Sequence, residues 1–189
     1  MKRFFEPGHT DAGFKARHMM VTWVHGHFKD VHGSLDFDSQ DPTKLSVEVE
    51  IDAANVWTGQ PQRDAHLRSA DFLDVEHHPK ITFVSNRVEL FGEGDYRVYG
   101  DLTIRGTTKE VCLDVRYLGT WDTPWWEDGV DKGPKKRAGF SGQTMINRYD
   151  FGVNWNDKVA KGGIVVSKEI FITVEAEAVL ESEPAMAAR

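Results

Sequence analysis

Most of this chain alternates apolar and polar residues with a period of two, and that pattern restricts it to half-buried antiparallel strands. Val47, Val49 and Ile51 alternate with Ser46, Glu48, Glu50 and Asp52. Tyr96, Val98, Leu102 and Ile104 alternate with Arg97, Tyr99, Asp101, Thr103 and Arg105. Val111, Leu113, Val115 and Tyr117 form a third run, and Ile170, Ile172, Val174, Ala176 and Ala178 a fourth. Ala138, Phe140 and Ile146 keep one parity through a glycine-rich stretch. Short turn signals at Gly92–Asp95 and Gly106–Lys109 join neighbouring runs as hairpins. Many strands joined this way close into a barrel or fold into a sandwich.

Two segments break the period. Gln60–Asp74 reads as one helix or two short ones, with Pro61 in a first turn and Ser69 as a cap for a second piece. His18–His25 reads as a strand or one short helix. Trp121–Arg137, rich in Pro, Gly and charge and carrying Trp125-Trp126, reads as a long loop over one end. The residues after Leu180 read as a frayed tail, which divides the chain into a barrel domain, 1–180, and a flexible tail, 181–189.

A chain of 189 residues with 40% apolar content supports one domain and one sizeable core. Its net charge of −7 argues against nucleic acid, which needs a surplus of Lys and Arg on one face. The single cysteine, Cys112, cannot form an internal disulfide and reads as a strand residue. The start, Met-Lys-Arg-Phe-Phe-Glu-Pro, is too short in apolar residues for a secretory signal, and no run is long enough to span a bilayer. The expected location is therefore the cytoplasm.

The densest polar cluster is Arg63-Asp64-Ala65-His66-Leu67-Arg68-Ser69-Ala70-Asp71-Phe72. Arg63 and His66 lie three apart on a helix and share a face, a spacing suited to one anionic head group. The competing reading is a solvated helix whose charges pair among themselves. Lys15–Met20 sets His18 and Met20 on one side of a strand, where His18 either meets a ligand or packs as a buried histidine. Asn147–Gly152 suits a turn with unusual dihedrals, clamped by Arg148 and Asp150. Histidines 25, 27, 32, 77 and 78 lack a zinc-ligand spacing, and no metal site is expected. No Gly-x-Ser-x-Gly elbow or phosphate-cradling glycine loop occurs.

Taken in order, several stretches resemble the YceI-like lipid-binding family over roughly residues 8–180. They are Phe14–Val21, Gly26–Phe28, Val31–Gly33, Arg63–Phe72, Pro79–Phe83, Gly100–Lys109 and Ile146–Gly152. The resemblance implies an all-β, extended eight-stranded antiparallel barrel of lipocalin type with one or two short helices. It implies an interior that takes a polyisoprenoid, quinone or polyprenyl phosphate, and it implies a homodimer. It supplies no catalytic residues and requires no cofactor beyond such a bound lipid. The expected ligand-binding residues are His18, Met20, Arg63, His66, Phe72 and Phe140. The expected function is a non-enzymatic carrier with a lipid-like partner. The alternatives are a lipid-modifying enzyme, with His66 or His18 as acid or base and Asp71 as its orienter, and a barrel with a filled core.

Overall fold

The structure is a computed structural model that describes residues 2–38, 41 and 44–180; the tail expected at 181–189 lies outside them. In chain order the strands are β1 (Lys2–Phe5), β2 (Asp11–His18), β3 (Thr22–Phe28), β4 (His32–Asp36), β5 (Ser46–Asp52) and β6 (Val56–Trp57). Helix α1 (Pro61–Arg68) follows, then β7 (Lys80–Gly92), β8 (Asp95–Ile104), β9 (Thr107–Thr123), β10 (Trp126–Glu127) and β11 (Val130–Asp131). The last are β12 (Lys135–Asn147), β13 (Lys158–Val159), β14 (Gly163–Ile164) and β15 (Val166–Leu180).

Eight strands close an antiparallel ring in the order β1-β4-β5-β7-β8-β9-β12-β15 and back to β1. The seam is short: Arg3, Phe4 and Phe5 of β1 pair with Leu180, Val179 and Ala178 of β15. Further along the same edge of β15, β2 takes over the pairing, from Glu175↔Asp11 to Val166↔His18. A 3-10 turn at Pro7–His9 separates β1 from β2, because Pro7 cannot donate to a ladder. β3 and β6 continue the sheet beyond β2.

The two-residue period sets the inside of the ring. On β8 the buried side is Tyr96, Val98, Gly100 and Leu102, and on β12 it includes Ala138, Phe140 and Ile146. These residues belong to one apolar cluster with Leu35, Phe37, Ile51, Phe83, Phe151 and Ala178. Each large member contributes about 1.5–3 kcal/mol when fully buried.

Three local expectations change in the structure. Within His18–His25 the chain makes strand, tight turn and strand, with Val21 N donating to His18 O at 3.0 Å. Ser69 caps the C-terminus of α1 and starts no second helix: its N–H and its hydroxyl both donate to His66 O, at 3.1 and 2.7 Å. Trp121–Arg137 is not a long loop, since β9 and β12 stay paired out to Thr123↔Lys135 and a β10–β11 hairpin caps them. Those strands project past the core, so both faces meet water and the alternation that marks a half-buried strand disappears.

Candidate functional site: an apolar cavity inside the barrel

The barrel encloses a cavity of about 290 Å³. Its wall is built from the inward positions of the strands, among them Val47 and Val49 of β5, Val98 and Leu102 of β8, and Val111, Leu113 and Val115 of β9. α1 and the segment after it cover one end, where Leu67, Phe72 and Leu73 join the wall. There the rings of Phe72, Trp155 and His66 pack together, with centroids 4.7–5.2 Å apart. Towards the other end Phe140 of the wall packs with Phe37 and Tyr117, at 4.9–5.4 Å.

Two polar residues of the wall, Thr144 and Arg148, have their groups bonded to backbone carbonyls. Thr144 donates to Cys112 O at 2.7 Å. Arg148, only 4% exposed, donates from Nε to Ser167 O (2.8 Å), from Nη1 to Val153 O (2.6 Å) and from Nη2 to Val166 O (3.2 Å). These three carbonyls join the 3-10 turn Arg148–Phe151 to the start of β15, and Gly152 ends that turn at φ 75°. Burial lowers the guanidinium pKa, but the carbonyls give the charge acceptors where no carboxylate stands. The cavity is thus apolar on nearly all its surface, able to solvate a hydrocarbon chain but not a polar metabolite.

A profile of the YceI-like domain matches residues 5–178. The chain belongs to the YceI-like family. Protein YceI of Escherichia coli O17:K52:H18 is 36% identical over 170 residues, covering 90% of this chain and 82% of that one. Among solved structures, Burkholderia cenocepacia BcnA superposes with a TM-score of 0.77 at 21% identity, covering 92% of this chain and 98% of that one. A polyisoprenoid binding domain from Saccharophagus degradans superposes at 0.64 and 11% identity, covering 95% and 98%. These likenesses, at low identity, show that the YceI-like barrel is shared.

Within this YceI-like barrel, the residues singled out from the sequence divide into two groups. Phe72 and Phe140 line the cavity. His18, Met20, Arg63 and His66 do not belong to its lining. His18 ends β2 at the rim, opposite Thr22 and Val166. Met20 is 62% exposed in the β2–β3 turn, at φ 64°. Arg63 fastens α1 to the chain before it, donating from Nε to Thr58 Oγ1 (2.7 Å) and from Nη2 to Thr58 O (2.9 Å). Asp64, buried beside it, accepts from Thr58 N at 2.9 Å. His66 and Asp71 do come together, with Nε2 2.9 Å from Oδ2, but the pair is half-exposed on the outer side of the Phe72–Trp155 packing.

Sequence reasoning passed over Arg3, treating it only as part of a possible leader. It lies on the inward face of β1 and is 8% exposed, with Nε and Nη1 lacking any hydrogen-bond partner. The signal was there in the parity of Arg3 and Phe5, but four residues are too few to establish a strand from periodicity. Among the described residues, no group of three or more His, Cys, Asp or Glu is placed to hold a metal ion. No helix of the described residues is long and apolar enough to cross a membrane.

Proposed function

We propose that this YceI-like protein binds one long apolar chain, a polyisoprenoid, quinone tail or similar amphiphile, inside the barrel and holds or carries it without chemical change. The observation that carries this reading is the apolar cavity of about 290 Å³ running between the Phe72 and Phe140 ends. Its size is at the lower limit of small-molecule pockets, roughly 300 Å³, and fits a slender chain better than a bulky ring system. Each methylene buried there contributes about 0.8 kcal/mol, so affinity accumulates along the chain without any polar contact. The Saccharophagus degradans domain of the same fold is named for binding polyisoprenoid, which accords with this reading.

An acid–base enzyme has the His66–Asp71 hydrogen bond in its favour. The pair's position outside the cavity lining weighs for the carrier.

The test is to fill the cavity. Gly142 lies in the wall, and a Cβ placed there meets Val115 Cγ2 at 3.5 Å and Val174 Cβ at 3.7 Å, ordinary contact distances. Gly142→Leu is expected to fold and to lose uptake of a fluorescent polyprenyl probe, whereas Gly8→Ala, on the outside turn, keeps it. Undiminished uptake by Gly142→Leu would place the ligand somewhere other than this cavity.

A further inference from the structure

Two arginines are buried among the described residues, and the protein treats them differently. Arg148 satisfies Nε, Nη1 and Nη2 with backbone carbonyls. Arg3 leaves Nε and Nη1 without acceptors. Arg137, of the opposite parity to Ala138 and so on the outer face of β12, has its own carboxylate, Glu177, 2.5 Å away. A buried guanidinium with no anion is costly by several kcal/mol, so such a group persists where a counter-ion or water reaches it.

The location of Arg3 suggests which. It shares the inward face of β1 with Phe5, and its cross-strand partner on β4 is Leu35. Phe5 and Leu35 both line the cavity. Tyr117, packed on Phe140 at that end, is near enough to act on the charge of Arg3. Arg148, in the wall, is already bonded to three carbonyls. Among the described residues Arg3 is thus the buried cation with donors left free. It stands next to Phe5 and Leu35 and is not itself part of the lining. Arg63, the cation that the sequence favours for this task, has Nε and Nη2 bonded to Thr58.

We propose that Arg3 is the head-group site of this cavity and that it takes a carboxylate, making the ligand a long-chain carboxylic acid. This rests on the reading of the cavity as the chain-binding site. A carboxylate accepts strong charge-assisted hydrogen bonds from a guanidinium, and Arg3 has donors at Nε and Nη1 without acceptors. Charge balance selects a monoanion. One guanidinium neutralises one carboxylate, whereas a diphosphate would bring further negative charge into an apolar wall.

The experiment compares laurate with 1-dodecanol, equal in chain length and different only in head group, on the delipidated full chain and on Arg3→Met. The wild-type protein is expected to bind laurate ~10-fold or more tightly than dodecanol, the size of one charged hydrogen-bonded pair. Arg3→Met is expected to lose that preference, bind dodecanol as before, and melt no lower than the ligand-free wild type. Equal affinity of the wild type for the two probes means that water satisfies Arg3, and it overturns the head-group site while leaving the cavity reading intact. A laurate preference that survives in Arg3→Met overturns it as well. Binding of neither probe overturns the cavity reading itself. If Arg3→Met does not fold, the wild-type comparison decides.

Discussion

Gly100 and Arg148 hold positions set by a close approach of neighbouring atoms and by a buried charge. A Cβ at Gly100 would stand 2.5 Å from both Phe83 Cζ and Val84 O, and the second of these is backbone that cannot swing aside. Gly100→Ala is therefore expected to cost about 1–3 kcal/mol, as overpacking does. Gly8→Ala, with nothing within 4 Å, should stay within about 0.5 kcal/mol of wild type in the same denaturant titration. Equal midpoints for the two variants would contradict this packing. Arg148→Met leaves three carbonyls, that of Val153 buried and those of Val166 and Ser167 half-buried, short of their donors, and a loss of about 3 kcal/mol is expected from chemical unfolding. At this scale the sequence was partly legible. Asn147 and Gly152 marked the turn, and Asn147 Oδ1 accepts from Tyr149 N at 3.1 Å as such turns require. The target of Arg148 was not legible, because its acceptors come from residues 153, 166 and 167, which only the folded chain brings near.

Elements differ in how strongly local sequence determines them. The paired strands β8 and β9 follow directly from alternation broken by Arg105-Gly106, both at positive φ in the connecting turn. The β2–β3 turn carries no such mark. Met19 and Met20 adopt φ of 47° and 64° without glycine, which tertiary pairing on both sides imposes against local preference. The segment from Ser69 to Pro79, which brings Phe72 and Leu73 into the cavity wall, is held by turns around Asp74. His77 N and His78 N donate to Asp74 O at 3.1 and 2.9 Å, and His77 Nδ1 lies 2.9 Å from Asp74 Oδ1. That side-chain contact raises the His77 pKa and lowers that of Asp74. The His77 contribution is complete below its ordinary value of 6.5 and disappears as pH rises through the raised folded value. The Asp74 contribution is present above 3.8 and disappears as pH falls through the lowered one. The segment should thus hold most firmly between pH 3.8 and 6.5. Amide exchange at His77 and His78, corrected for intrinsic rate, should show more protection at pH 5 than at pH 8, with the difference removed in His77→Ala. Equal protection at both pH values would show that the ion pair does not restrain the segment.

The whole molecule turns a repeated local rule into a container. Alternation specifies which side chains face inward, but it leaves open whether they meet. The inward set mixes Phe140, Leu113 and Tyr96 with Ala138, Gly142 and Ala176, and the structure shows that this mixture leaves a hollow. Closure depends on the three-residue seam between β1 and β15, whose partners lie at opposite ends of the chain and are joined by no local signal. The same separation hid Arg3, whose burial is a property of the closed ring. The central claim is that this hollow holds a long apolar chain, and native mass spectrometry of the freshly purified protein tests it most directly. The account predicts a bound species of discrete mass, released by organic solvent and fragmenting as an acyl or isoprenoid chain, and absent from Gly142→Leu. A ligand-free mass under gentle conditions, with no adduct after incubation with prenyl lipids and fatty acids, would contradict it.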